Sequence, residues 1–343
     1  AGGDWRPVSH DSIIEPQGGL DVISSIDMHL QDVASSALRE QLQEHDAAWG
    51  TVILMEVNTG MIRAMANLTR SSKEALEGEP SQYFESFNHA IGTAVEPGST
   101  FKLASLMTAM SEGGVKASDE IDTGNGITYF HGKRMSDSNA DQGGSGILNT
   151  TEIFELSSNV GTALTIKKAF GENPQKFLDG LQSLGVDAPT GVRLAGESTP
   201  QVYQNAGDGR WSGLSLTQMS IGYEVTQTPL QTLTLYNAVA NNGKSLRPQL
   251  VERLENNGQV VKTFQPEVLK QSICSPAVLA NCQDMLKSVA DPEGKGTAQY
   301  VFANSPYRVA GKTGTARIAG PNGYDGRCRA SFAGYFPADQ PRY

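Results

Sequence analysis

The hydrophobic pattern near the start of the chain predicts an amphipathic helix followed by a β-hairpin. After Asp27, which is suited to cap a helix, apolar residues recur three or four positions apart, at Leu30, Val33, Ala34, Leu38 and Leu42. This helix is expected to run to about His45. Residues 51–57 are rich in β-forming side chains, and Asn58-Thr59-Gly60 supplies a turn before a second apolar run.

Helical spacing dominates the middle of the chain. One helix is expected to begin near Ser99 and to stop at Gly113-Gly114, with one apolar face formed by Leu103, Leu106, Met107 and Met110. A second helix is expected to begin at Pro229 after the capping residue Thr228. Its apolar residues lie nearly all round the helix, which predicts that it is buried.

Two further strands are predicted close to the C-terminal end, at 307–317 and 330–336. Strands near both ends of the chain and helices between them predict one sheet assembled from both termini. Residues 1–20 are polar and contain proline and glycine, so they are expected to form a linker.

Composition and charge narrow the classes of function. The 343 residues carry a net charge of −10, and an acidic chain with scattered positive residues is a poor binder of nucleic acid. The five histidines lie far apart, and no His-Glu-x-x-His or Cys-x-x-Cys pattern occurs, so neither a metal nor another cofactor is expected. The three cysteines are expected to be free thiols, although Cys274 and Cys282 could form one bridge. No window is apolar enough to span a membrane, and the first residues do not form a signal peptide.

The first candidate for chemistry is Ser99 with Lys102. The predicted helix places Ser99 at its N-terminus, where free N–H groups favour developing negative charge. Lys102 follows one helical turn later, so a hydroxyl lies beside an amine that could act as its base. A capping serine next to a solvated lysine is the alternative, because a single Ser-x-x-Lys arises by chance about once in such a chain.

Two other short motifs add polar groups. Ser157-Ser158-Asn159 lies between two helical stretches and offers a hydroxyl that could relay a proton and an amide that could hold a carbonyl. Lys312-Thr313-Gly314 lies in a predicted strand and lacks the earlier glycine of a phosphate-binding loop, so nucleotide binding is rejected. The small Gly314 would allow a ligand backbone to approach, and Lys312, Thr313 and Thr315 could bind a carboxylate.

The order Ser-x-x-Lys, Ser-x-Asn, Lys-Thr-Gly is typical of serine β-lactamases and penicillin-binding proteins. From about Ile23 onwards the sequence resembles the transpeptidase domain of class B penicillin-binding proteins, in particular the division-type FtsI/SpoVD group. The resemblance rests on Ser25-Ile26-Asp27, Leu30-Gln31, Asn58-Thr59-Gly60, Ala64-Met65-Ala66, the stretch 96–102 and the stretch 222–231. It implies an α/β (α+β) fold, with an antiparallel sheet flanked by helices plus an all-helical subdomain. Residues 21–343 would form the transpeptidase domain, with a helical insert at about 99–300.

The resemblance also implies a mechanism of acyl transfer. Ser99 would attack the D-Ala-D-Ala carbonyl of a peptidoglycan stem peptide, with Lys102 as its base and Ser157 passing the proton to the leaving amine. Asn159 would hold the donor peptide, and the backbone N–H groups of Ser99 and Thr315 would form the oxyanion hole. Thr313 and Thr315 would bind the terminal carboxylate, helped by Lys312, and Gly314 would also belong to the binding site for the substrate or a β-lactam. β-Lactam antibiotics would acylate Ser99 in the same way.

Family members usually carry a membrane anchor and a pedestal domain before this region, and one more strand and a helix after it. The chain is therefore expected to be truncated at its C-terminus, with strand edges left unpaired or exposed, unless another segment repairs the sheet. The resemblance further implies a location at the extracytoplasmic face of the plasma membrane, which is periplasmic in a Gram-negative cell. It also implies protein partners that act in cell division and in glycan polymerisation. A D,D-carboxypeptidase, a serine β-lactamase, a β-lactam sensor and a non-catalytic division scaffold remain as alternatives.

Overall fold

The structure is a computed structural model that describes residues 18–71, 82–320 and 323–343. Most of the linker expected at 1–20 therefore lies outside the described residues. The helices are α1 (Met28–Glu44), α2 (His89–Gly92), α3 (Lys102–Glu112), α4 (Thr150–Glu155), α5 (Asn159–Phe170), α6 (Pro174–Leu184), α7 (Ser215–Ser220), α8 (Pro229–Ala240), α9 (Pro276–Val289) and α10 (Gln299–Phe302). The strands are β1 (Asp21–Ser24), β2 (Trp49–Met55), β3 (Ile62–Arg70), β4 (Tyr83–Phe84), β5 (Glu120–Asp122), β6 (Ile127–Phe130), β7 (Lys133–Ser136), β8 (Ile147–Asn149), β9 (Ser245–Leu246), β10 (Val251–Asn256), β11 (Gln259–Thr263), β12 (Val268–Lys270), β13 (Ala310–Gly320) and β14 (Gly323–Tyr335).

The predicted N-terminal helix and hairpin are confirmed. The carboxylate of Asp27 caps α1 by accepting hydrogen bonds from the N–H groups of His29 and Leu30, at 2.9 and 3.1 Å. β2 and β3 pair in antiparallel register, from Trp49 opposite Thr69 to Met55 opposite Ile62. α1 packs on this hairpin through a small apolar cluster made of Leu38, Leu42, Ala66, Leu68 and Tyr83.

The main core surrounds α3 and α8. Every side chain of α3 from Lys102 to Met110 is buried, so this helix passes through the interior of the domain. Thr228 and Gln231 form a capping box at the start of α8, and Pro229 occupies its first turn, as the sequence predicts. The hydroxyl of Tyr236 on α8 donates to the carbonyl oxygen of Thr100 at 2.8 Å, which ties α8 to the turn preceding α3.

The expectation of one sheet built from both termini is wrong among the described residues. β13 and β14 pair only with each other, while β2, β3 and β4 form a separate sheet. The two sheets are joined by α8, which packs against both β2 and β14, and by a 2.9 Å hydrogen bond from the Val57 N–H to the Arg342 carbonyl. One edge of β2 and one edge of β14 thus lack a strand partner in the described chain, as expected. A strand pattern predicts that a strand forms but does not say which edge it joins.

The helical insert expected at about 99–300 also contains short strands, because β5 to β12 lie within these bounds. β10 and β11 form a hairpin whose two turn residues, Asn257 and Gly258, have φ values of 50° and 79°. Asn-Gly is a strong sequence signal for such a turn, since both positions need a left-handed backbone. These strands have two to six residues, which is too short to interrupt a helical pattern read over longer windows. No helix in the described part of the chain combines the length and hydrophobicity that a membrane span requires.

Candidate active site

Ser99 lies in a tight turn that leads into α3. Residues Gly98–Phe101 form a 3₁₀ turn, and the N–H of Lys102 donates to the carbonyl of Ser99. The α-helix itself begins at Lys102, so the predicted helix start near Ser99 is displaced by one turn of tighter helix. The spacing that matters is kept, because Ser99 and Lys102 remain three residues apart on a helical backbone.

Two glycines allow β13 and a second segment to approach this turn. Gly98 has a φ of 57°, and its N–H donates to the carbonyl of Gly222 at 3.1 Å. A Cβ built on Gly314 would collide with the Ser331 side chain and lie 3.0 Å from Cγ2 of Thr100. Because Gly314 has no side chain, the turn that carries Ser99 can pack directly against this point of β13. The strand therefore lies next to Ser99.

Lys102 connects the first motif with the second. Its side chain is completely buried, and its Nζ donates to the carbonyl of Ser157 at 2.7 Å and to Oδ1 of Asn159 at 2.7 Å. Oγ of Ser157 lies 3.3 Å from the same nitrogen. Burial, and then the charge of Lys312, lower the pKa of Lys102 well below its ordinary value, while the charge of Asp137 acts in the opposite direction. The uncharged amine that a base requires is therefore favoured at this position.

Ser157 is held in an unusual backbone conformation just before Asn159. Ser157 lies between α4 and α5 with a φ of 56°, which a residue with a side chain adopts at a cost, and Asn159 is the first residue of α5. The Ser158 hydroxyl caps α5 by accepting from the N–H of Gly161 at 2.8 Å. The amide of Asn159 donates to the Ser136 carbonyl at 3.1 Å, so its oxygen faces Lys102.

Asp137 fixes this loop, and sequence reasoning missed it. The buried carboxylate accepts three hydrogen bonds from the start of α5: from the Ser158 hydroxyl at 2.7 Å, from the Asn159 N–H at 2.6 Å and from the Val160 N–H at 2.9 Å. An anion at a helix N-terminus is favoured by the helix dipole. Nothing local in the sequence pairs Asp137 with a helix that begins more than twenty residues later.

Replacing Asp137 by asparagine should destabilise the domain and shift its pH profile. Hydrogen bonds to a charged group contribute about 1.5–3 kcal/mol each, and asparagine keeps only part of this set, so we expect the free energy of unfolding to fall by about 2 kcal/mol. Because the charge of Asp137 raises the pKa of Lys102, its loss should move any activity that needs neutral Lys102 to lower pH. Denaturant unfolding and acylation rates across pH check both effects. Asp141→Asn, on the exposed neighbouring turn, should change neither.

Lys312 brings a second buried amine into the same region. Its side chain is fully buried, which lowers its pKa to about 7, and its Nζ donates to the Thr313 carbonyl at 3.1 Å. The ammonium also lies 5.6 Å from the ring centre of Phe154 on α4. The hydroxyl of Thr313 is 2.5 Å from that of Thr297, and Thr315 is exposed. The third motif thus supplies an amine whose charge acts on Lys102, and two hydroxyls on the same strand.

One edge of β13 faces the candidate site. Pairing with β14 is regular from Thr313 to Arg317, so N–H and C=O groups of alternate residues point to the same edge. The N–H of Arg317 donates to the hydroxyl of Tyr223 at 3.2 Å, away from β14. By this alternation the N–H groups of Thr313 and Thr315 point to the same free edge, which is the edge next to Gly98 and Ser99.

The structure thus brings together the sequence-predicted residues Ser99, Lys102, Ser157, Asn159, Lys312, Thr313, Gly314 and Thr315. A hydroxyl, a buried amine with a lowered pKa and a strand edge with N–H groups turned away from β14 together suit acyl transfer through serine. The described residues contain no cluster of His, Cys, Asp or Glu that could hold a metal ion. The three cysteines are free thiols, as expected.

Comparison with known proteins identifies the family to which the chain is similar. The family described as "Penicillin binding protein transpeptidase domain" matches residues 50–343. The chain is 29% identical over 340 residues to peptidoglycan D,D-transpeptidase FtsI of Escherichia coli K12, covering 98% of this chain and 53% of that protein. It is 30% identical over 335 residues to penicillin-binding protein PbpB of Mycolicibacterium smegmatis, covering 93% of this chain and 49% of that protein. The chain therefore spans about half the length of these curated relatives.

Solved structures agree on the fold. Penicillin-binding protein 3 of Mycobacterium tuberculosis, crystallised with aztreonam, superposes with a TM-score of 0.78 at 27% identity, covering 94% of this chain and 71% of that one. The transpeptidase domain of penicillin-binding protein 3 of Burkholderia pseudomallei gives a TM-score of 0.74 at 24% identity, covering 93% of this chain and 85% of that one. The mixed arrangement of helices and antiparallel strands expected from the sequence is confirmed.

Proposed function

The chain belongs to the penicillin-binding protein transpeptidase domain family, and from this premise we propose that it cross-links peptidoglycan stem peptides through an acyl-enzyme on Ser99. The observation that carries the proposal is Lys102. This buried amine bonds both residues of the Ser-x-Asn motif, lies one turn from Ser99 and feels the charge of Lys312. Among the described residues no carboxylate contacts the Lys102 amine, so burying this amine lowers the stability of the fold, and a role as a base accounts for that loss.

In the proposed first step, Ser99 Oγ attacks the carbonyl carbon of the D-Ala-D-Ala bond while Lys102 takes the hydroxyl proton. The C–N bond breaks, Ser157 passes a proton to the leaving amine, and free D-Ala departs. The Ser99 and Thr315 N–H groups hold the developing oxyanion, the former because the first N–H groups of a helical turn lack an intrahelical partner. In the second step an amine of another stem peptide takes the acyl group, and Ser99 regains its proton.

The remaining residues hold the donor peptide. Asn159 is oriented by its bond to Ser136, and its amide would contact the peptide backbone next to the scissile bond. Lys312 and the hydroxyls of Thr313 and Thr315 would bind the terminal carboxylate, and Gly314 lets this strand lie close to Ser99. A β-lactam carries the same carboxylate next to a reactive carbonyl, and would acylate Ser99 without a fast second step.

Membership of the same family supports a proposal for the cellular setting. The proposed site of action is the extracytoplasmic face of the plasma membrane, where stem peptides are displayed. The resemblance to division-type enzymes, and relatives named FtsI, support a role in septal wall synthesis with division proteins and a glycan polymerase as partners. The sequence from Asp21 to Tyr343 would act as the catalytic domain.

Two measurements test the proposed reaction. The protein is incubated with a fluorescent penicillin, digested and analysed by mass spectrometry, and the label is expected on the peptide containing Ser99. A thioester donor is then supplied with and without an added D-amino acid. Incorporation of the D-amino acid into product supports a transpeptidase, whereas release of free acid alone supports a carboxypeptidase. Stable acylation without turnover of the donor indicates a sensor, rapid loss of the penicillin label indicates a β-lactamase, and absence of label indicates a scaffold.

Binding of the carboxylate should depend on pH through Lys312. Its pKa of about 7 means that the ammonium loses its proton above neutral pH, so an anionic ligand then binds only the shrinking protonated fraction. We expect the dissociation constant of a penicillin, measured on Ser99→Ala by calorimetry, to rise towards tenfold per pH unit above about pH 7. The methyl ester of the same penicillin is the matched control and should show no such rise. A dissociation constant for the acid that stays flat from pH 6 to 9 would contradict the assignment of Lys312.

A further inference from the structure

The segment Gly222-Tyr223 contacts both halves of the proposed oxyanion hole. The carbonyl of Gly222 accepts from the N–H of Gly98 at 3.1 Å, and Gly98 is the residue before Ser99. The hydroxyl of Tyr223 accepts from the N–H of Arg317 at 3.2 Å, and Arg317 follows Thr315 by two residues on the same edge of β13. Two adjacent residues therefore touch the two elements that carry the donors.

The segment is itself firmly held. Gly222 is buried with a φ of 84°, and a Cβ at this position would overlap the backbone of Gly98, so only glycine fits. The N–H of Tyr223 donates to the carbonyl of Gln218 at 3.1 Å, at the end of α7. The Tyr223 ring packs on an apolar cluster formed by Phe130, Met135, Ala163 and Ile221. The position of its hydroxyl is thus set by the core and not by solvent.

An oxyanion hole requires two N–H donors at a fixed separation, and a misplacement of about 1 Å can cost on the order of 100-fold in rate. Here the two donors come from different elements, the turn of Ser99 and the edge of β13. We infer that Tyr223 is a positioning residue for the oxyanion hole, and that its hydroxyl fixes the N–H of Thr315 relative to that of Ser99 by holding the Arg317 amide. The inference rests on the proposed function, since these two N–H groups act as an oxyanion hole only if Ser99 is the nucleophile.

The test is Tyr223→Phe, which removes the hydroxyl and keeps the ring. Three quantities are measured: the rate constant of acylation at saturating penicillin, the non-covalent dissociation constant of penicillin in a Ser99→Ala background, and the affinity for a boronic acid that forms a tetrahedral anion on the serine. We expect the acylation rate constant and the boronate affinity to fall roughly tenfold, while the non-covalent dissociation constant stays within about twofold. Tyr129→Phe, which removes a hydroxyl from an exposed side chain on β6, should change none of them.

The outcomes separate this inference from the proposed function. Normal labelling of Ser99 together with an unchanged acylation rate in Tyr223→Phe would overturn the inference alone, as would an equal loss in non-covalent binding. Absence of Ser99 labelling in the unsubstituted protein would overturn both. Hydrogen exchange in the unsubstituted protein gives a readout that does not depend on how the variant folds. The Arg317 amide should be protected, and rapid exchange there would also overturn the inference.

Discussion

Replacing Ser99 by alanine is expected to abolish covalent labelling by a fluorescent penicillin and to leave the domain folded. Ser99 is only half-buried, and loss of its Oγ removes no contact on which the turn depends, since the turn is held by Gly98, Thr100 and the start of α3. The thermal midpoint should therefore change little. Labelling is read on a denaturing gel, and folding by circular dichroism.

The control for this variant is Ser111→Ala, an exposed serine at the other end of α3. It should label at the rate of the unsubstituted protein. Residual label on Ser99→Ala at a second residue would mean that another hydroxyl is the nucleophile. Ser157 would be the first to test, because its Oγ is 3.3 Å from the same lysine.

Replacing Lys102 by glutamine should slow acylation by about 10²–10⁴-fold, the range typical of a lost general base. Glutamine is close to lysine in length and could still donate to the Ser157 carbonyl, so the loss would report the base and not the packing. The rate constant of acylation is measured by stopped flow with a chromogenic β-lactam. In the unsubstituted protein this rate should rise with pH as Lys102 loses its proton, at a pH well below the ordinary lysine range. The variant should lack this rise.

The thermal stability of the Lys102→Gln variant should not fall together with its acylation rate. Because burial disfavours the charged amine, Lys102→Gln is expected to unfold at the same temperature as the unsubstituted protein or a higher one. Lys116→Gln, an exposed lysine beyond the end of α3, is the matched control and should affect neither quantity. A variant that acylates at the normal rate, or whose rate keeps its rise with pH, would show that Lys102 is not the base.

Sequence patterns predicted the elements whose boundaries are encoded locally. Asp27 and Thr228 cap their helices through side chains within three residues, so the starts of α1 and α8 could be read directly. The hairpin of β2 and β3 also depends on neighbouring residues. The turn at Asn257-Gly258 has an equally local signal, and it lies within the helical insert expected at about 99–300. The separation of the two sheets could not be read, because pairing of strand edges depends on residues far apart in the chain.

The residues of the candidate site also differ in whether the sequence could predict them. Its chemical groups lie in short motifs, so Ser99, Lys102, Ser157, Asn159 and Lys312 could be named from the sequence. The residues that hold them could not. Asp137 reaches α5 from the loop after β7, and Tyr223 reaches β13 from the end of α7. Each makes an ordinary hydrogen bond whose partner is distant in sequence, and single-sequence patterns carry no signal for such a contact.

Lys102 and Lys312 place two buried amines close enough for their charges to interact, and the Asp137 carboxylate, whose charge also acts on Lys102, is hydrogen-bonded to the start of α5. If Lys312 binds the penicillin carboxylate as proposed, small anions such as phosphate, sulfate or acetate will compete for the same position. Rates measured in different buffers will then differ through competition alone. Assays in a cationic or zwitterionic buffer at constant chloride avoid this, and the apparent inhibition by added phosphate would report how strongly the site attracts negative charge.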